Sequence, residues 1–145
     1  MKILVLGYGN PSRQDDALGP SLADAIEKMK LDGVATDSDY QLNIEYALDI
    51  AAYDLVIFAD ASIDADEPFD FARLEASREI TFTTHSVSAE SVLGLCEEIG
   101  VEMPEAWQIA IRGYSFDFGD GLTEKASGNL AKAVEFIAGF IRERS

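Results

Sequence analysis

The chain has 145 residues, enough for one domain, and 48% of them are hydrophobic and 10% aromatic, so a sizeable core can be buried. Its 27 acidic residues outnumber 11 basic ones and leave a formal charge of −16, which argues against nucleic acid or an anionic membrane surface as partner. Cys96 is the only cysteine, which excludes an intrachain disulfide and a thiolate metal cluster and points to a reducing compartment.

Ile3 to Leu6 is a continuous apolar run with two β-branched members, the pattern of a strand covered on both faces in a parallel sheet. Gly7 and Gly9 allow a sharp turn after it, Asn10-Pro11-Ser12 is loop chemistry, and Asp15 or Asp16 is placed to cap the helix that Ala17 and Leu18 begin. Leu18, Leu22, Ala25, Ile26 and Met29 recur at helical spacing, and that helix is expected to end near Leu31-Asp32-Gly33. Gln41 to Tyr46 reads as a short alternating strand and Ala47 to Ala52 as a helical turn. Asp54 to Asp60 is a second apolar strand with Asp60 at its C-terminal end, and Phe69 to Leu74 alternates as an edge strand does.

Ile80 to Thr83 reads as another strand end, followed at once by His85, the chain's only histidine. Ser86 or Ser88 caps a helix whose core face is Val92, Leu93, Cys96 and Ile99. Trp107 to Gly113 is a further strand, and Asp117 to Gly121 a loop rich in glycine and aspartate. A last helix starts at Thr123 with Leu130, Val134, Ile137 and Ile141 on one face. This alternation predicts a single α/β domain over residues 1–145 with a mostly parallel sheet. There is no charged and apolar leader and no run of membrane-spanning length, so a cytoplasmic protein without a membrane partner is expected.

A strand followed by Gly-x-Gly invites a dinucleotide-binding reading. It fails on two counts: Ser12 stands where the third glycine would be, and two aspartates sit where a pyrophosphate would approach the helix N-terminus. The excess negative charge lies almost wholly in residues 37 to 105, where 17 acidic residues meet only Arg73 and Arg78. That suits a solvated acidic face or attraction for a basic protein segment.

Asp16 follows the first strand, Asp60 closes the second apolar strand, and His85 follows a later one. C-terminal strand ends of a parallel sheet share one edge, where ligands bind. Two carboxylates and an imidazole at that edge suit a divalent metal such as nickel or zinc with open positions. Each residue also has a structural alternative: Asp16 as a helix cap, Asp60 as an acceptor for loop amides, and His85 as a partly buried side chain satisfied by backbone. Arg112 is expected to pair with one of the many carboxylates, and the loop from Tyr114 to Asp120 is either a substrate loop or a solvated connection.

Gly7-x-Gly9-Asn10 with Asp15-Asp16-x-x-Gly19, the strand ending Asp60-Ala61, and His85 before a helix together resemble the hydrogenase maturation endopeptidases. Those proteases trim the C-terminus of the large subunit of nickel-containing hydrogenases. The resemblance covers nearly the whole chain and implies a three-layer α/β/α sandwich. It also implies that Asp16, Asp60 and His85 contact nickel already installed in the precursor, so the metal comes with the substrate and little is bound tightly in the isolated protein. Some members carry glutamate where this chain has Asp16. Asp16, Asp60 and Asp15 are the candidate proton-transfer carboxylates, and Asn10, Gly9 and Tyr114 the candidate substrate contacts. The partner implied is a hydrogenase large-subunit precursor. A module that senses or delivers nickel without cutting would use the same ligands. Gly7-Tyr8-Gly9-Asn10-Pro11 also resembles the opening of bacterial peptidyl-tRNA hydrolases, but no histidine follows it closely and the acidic charge does not suit RNA.

Overall fold

The computed structural model describes residues 1–76, 82–83 and 86–144. In chain order its elements are β1 (Ile3–Tyr8), a 3₁₀ turn (Gln14–Ala17), α1 (Leu18–Lys28), β2 (Val34–Asp39), α2 (Tyr46–Ile50) and β3 (Leu55–Ser62). There follow β4 (Phe69–Arg73), β5 (Phe82–Thr83), β6 (Ser86–Val87), α3 (Ala89–Glu98), β7 (Glu105–Arg112) and α4 (Glu124–Arg144). The central sheet has the order β2-β1-β3-β7-β4; its first four strands run parallel, and β4 is antiparallel to β7 at the edge.

The two faces of this sheet carry two separate cores. Ile3 and Val5 of β1 and Leu55, Ile57 and Ala59 of β3 pack with α1 and α4. Leu4 and Leu6, with Val56 and Phe58, pack with α2 and α3 on the other face. Successive residues of β1 and β3 are therefore all apolar because both faces are covered. The arrangement is the expected α/β/α sandwich, and fully burying each large side chain in it contributes roughly 1.5 to 3 kcal/mol.

Four local expectations are corrected. The strand placed at Gln41 to Tyr46 is instead β2 at Val34–Asp39, a half-covered edge strand whose polar residues hide its pattern. α1 closes at Lys28, earlier than Leu31, because Lys30 and Gly33 take positive φ of 50° and 76° and wind the chain out of the helix. Ile99 is 51% exposed, outside the core face that Val92, Leu93 and Cys96 form. Finally, Phe82–Thr83 pairs with Ser86–Val87 in a separate two-stranded ladder, so the strand before His85 is not part of the central sheet. Among the described residues no helix is long and apolar enough to cross a membrane.

Candidate active site at the C-terminal sheet edge

Strands β1, β2, β3 and β7 end on one edge, and the turn after β1 is pressed against it by glycines. A Cβ on Gly7 would overlap the carbonyl oxygen of Gly19, and one on Gly19 would come within 2.5 Å of the carbonyls of Ala59 and Tyr8. The N-terminal turn of α1 thus meets the backbones of β1 and β3 directly, at a separation that no side chain permits. Gly9 has φ +147°, and a Cβ there would overlap the Asp16 carbonyl. The Asn10 amide donates to Asp16 Oδ2 at 2.7 Å, and the Asn10 side-chain oxygen accepts from the Ser12 amide at 2.9 Å. Gly9 and Asn10 therefore shape the turn that aims Asp16.

Asp60 lies within range of the Asp16 charge. Asp60 accepts from the Ala61 amide at 2.8 Å through Oδ1. Burial pushes its pKa up to about 7; the Ala61 bond opposes that shift and the negative charge of Asp16 adds to it. Among the described residues, Asp16 Oδ1 and Asp60 Oδ2 have no hydrogen-bond donor. Two carboxylates, each oriented by one amide and each with an oxygen to which no described residue donates, attract either a proton or a hard cation. Alone they suit an oxygen-seeking cation, and nickel or zinc would call for a nitrogen ligand such as an imidazole beside them. Among the described residues no group of three or more potential ligands is assembled. His85, the third expected member, lies outside the described residues.

The neighbouring aspartate has a different environment. Asp15 is fully buried, and its carboxylate accepts from the amides of Tyr114 (2.7 Å), Ser115 (3.1 Å) and Thr123 (2.8 Å) and from the Thr123 hydroxyl (2.8 Å). Burial alone would raise its pKa, but the bonds from Thr123, Tyr114 and Ser115 outweigh that and hold it below the ordinary carboxylate range. Asp15 therefore clamps the turn 14–17 to the segment 113–123 and does not cap α1, which begins after Ala17 with no side-chain cap. Backbone bonds between Gln14 and Gly119 (3.1 Å) and between Gly119 and Ser12 (2.9 Å) continue the clamp.

Tyr114, expected to touch substrate, is tied into the same junction. Its hydroxyl accepts from Asn129 Nδ2 at 2.9 Å, and Arg112 and Lys125 lie 5.1 and 5.4 Å from its ring centre. Arg112 donates to the carbonyls of Ala65 (3.0 Å) and Gly113 (3.3 Å); among the described residues it pairs with no carboxylate, contrary to expectation.

One side chain at the edge gave no signal of function in the sequence. Tyr8, the last residue of β1, accepts a 2.7 Å hydrogen bond from Gln108 Nε2 on β7. Burial first, then the charges of Asp60 and Glu90, raise the Tyr8 pKa well above its usual value, so the phenol stays protonated. The available clue was the alternation Leu4, Leu6, Tyr8, which puts the phenol on the α2/α3 face.

No family model matches the chain, and no protein of curated function matches it by sequence. Solved structures do match. The hydrogenase maturating endopeptidase HybD from E. coli is 24% identical, with 100% of this chain and 94% of that one covered and a TM-score of 0.79. The NiFe hydrogenase maturation protease HycI from Thermococcus kodakarensis is 23% identical over 97% of this chain and 92% of that one, with a TM-score of 0.74. The hydrogenase 2 maturation peptidase from a Thaumarchaeota archaeon is 25% identical over 97% and 98%, with a TM-score of 0.71. The fold is that of the hydrogenase maturation proteases.

Proposed function

We propose that this chain is a hydrogenase maturation endopeptidase, which removes the C-terminal peptide from the precursor of a nickel-containing large subunit in the cytoplasm. The observation that carries this reading is the convergence of Asp16 and Asp60, each with an oxygen to which no described residue donates, on the sheet edge of a fold shared with solved maturation proteases. The nickel belongs to the substrate. Asp16, Asp60 and His85 would contact it and so register that the precursor is loaded; the chemistry of the donor set supports this.

The proton work falls to Asp60. Without metal its pKa is about 7, and a cation held beside it would lower that value, so in the loaded complex Asp60 works as the carboxylate that takes the proton of the attacking water and passes it to the leaving amine. Burial is the main cause of that raised pKa; the charge of Asp16 adds to it, and Asp16 is itself held by the Asn10 amide. Asp15 is assigned to positioning, since all four of its contacts hold the turn from below.

The test is the intact mass of cognate precursors, nickel-loaded and nickel-free, after incubation with the protein and with Asp16→Asn and His85→Ala variants. The expected result is loss of a C-terminal peptide from the loaded precursor alone, and only with the unmodified protein. A precursor that binds but stays intact would overturn the peptidase reading in favour of a nickel-sensing or chaperone module.

A further inference from the structure

The sheet edge beside Asp60 holds a donor that the proposed chemistry does not yet use. Tyr8 on β1 and Gln108 on β7 lie on either side of β3, so their 2.7 Å hydrogen bond spans that strand. The register fixes where: Gly7 pairs with Ala59, Gln108 with Phe58 and Ala110 with Asp60, so the bond passes over β3 between Phe58 and Asp60. Tyr8 is half-buried there, near enough to Asp60 for the charge of that carboxylate to act on its phenol.

The direction of the bond matters. Gln108 donates its amide proton to the phenolic oxygen, so that oxygen's own proton is not used in the pair. Among the described residues Tyr8 has no acceptor for it, and Asp60 accepts from Ala61 instead. The acidic side chains whose charges act on Tyr8, Asp60 and Glu90, offer acceptors and no donor when ionised. A peptide entering this cleft presents carbonyl oxygens, which need donors, and Tyr8 is a side-chain hydroxyl held in place to provide one.

Building on the peptidase reading, we propose that Tyr8 is a further catalytic residue, its hydroxyl donating to the carbonyl oxygen of the substrate peptide as negative charge develops there. Gln108 is its positioning residue. By holding the phenolic oxygen from behind, it leaves the proton directed at the substrate without reorganisation during the reaction, and donors held in this way are the effective ones.

The experiment compares Tyr8→Phe and Gln108→Glu with the unmodified protein in steady-state cleavage of nickel-loaded precursor, with precursor binding and Tm measured alongside. Tyr8→Phe keeps the ring and removes only the hydroxyl. Gln108→Glu keeps a partner but turns the bond round, since a carboxylate accepts the phenol proton and withdraws it from the cleft. Both are expected to lower kcat on the order of 10²-fold, with KM and precursor binding within a few-fold of unmodified. A Tyr8→Phe protein that cleaves within about twofold of the unmodified rate overturns the role of Tyr8. Equal losses that track a fall in Tm or in precursor binding overturn it as well, because they mark a structural residue. If the unmodified protein cuts no loaded precursor, the peptidase reading itself falls and this assignment falls with it.

Discussion

Asp15 and Thr123 stand 108 positions apart in the chain, yet the Thr123 amide and hydroxyl both donate to the Asp15 carboxylate at 2.8 Å. This contact ties the turn that carries Asp16 to the entrance of the last helix. Asp15→Asn keeps the shape but cannot accept all four bonds, because its amide nitrogen presents hydrogens to donors. A loss of about 3 kcal/mol at pH 7 is expected, measured by denaturant unfolding.

The pH dependence of that loss has a definite sign. The folded pKa of Asp15 is lowered, so its stabilising contribution is fully present above the unfolded value of 3.8 and is lost as pH falls through the folded one. The gap between the unmodified and Asp15→Asn proteins should therefore narrow in acid below pH about 4. A gap that stays constant down to pH 3 would show that the carboxylate charge contributes nothing.

Asp60 is expected to behave oppositely. Its folded pKa of about 7 lies above the ordinary value of 3.8, so the folded state is favoured with the proton on. That advantage is complete below the unfolded pKa and disappears as pH rises to about 7. Asp60→Asn should consequently raise Tm relative to the unmodified protein, with a difference that grows from pH 4 to 7 and then levels off, reaching at least ~1 kcal/mol. Calorimetry across that range decides it, and a pH-independent difference would count against a buried, proton-holding Asp60. The same variant should not cut precursor.

Gly9→Ala tests the aim of Asp16. The added methyl would overlap the Asp16 carbonyl at a backbone φ of +147°, so the turn must shift and carry the carboxylate with it. A destabilisation of about 1 to 3 kcal/mol is expected together with a fall in cleavage larger than that of Asn10→Ala, whose backbone amide to Asp16 remains. Comparable activities for the two variants would show that the turn tolerates the methyl.

Metal content is the last check. Two carboxylates and a histidine make a weaker free site than a closed four-ligand cage, so freshly purified protein is expected to contain well under one equivalent of nickel or zinc. Elemental analysis before and after a chelator measures this. A stoichiometric metal that resists the chelator would mean that the ion is resident and does not arrive with the precursor.

The sequence made the central strands readable because β1 and β3 are apolar on both faces, and a run such as Leu55 to Ala59 has few other places to go. β2 was misplaced for the opposite reason: at the sheet edge it is only half covered, so Thr36, Asp37 and Ser38 satisfy the strand without announcing it. Asp16 and Asp60 were found through topology, since strand ends converge whatever the loops do. The separate role of Asp15 was invisible, because its partners at 114, 115 and 123 come from distant chain and are reached through backbone amides that any residue supplies. Tyr8 was hidden by its neighbours, because an aromatic residue at the end of a buried strand looks like core until its hydroxyl is seen to meet Gln108.

The clamp between the turn 14–17 and the segment 113–123 has a consequence for the order in which the protein is made. Both candidate acids emerge from the ribosome within the first 60 residues, while every bond that Asp15 accepts is contributed by residues after 113. A nascent chain can therefore pair β1 with β3 long before its cleft has a fixed wall. The cutting edge is completed only when the final helix is started, so a half-made copy has the acids without the frame that aims them.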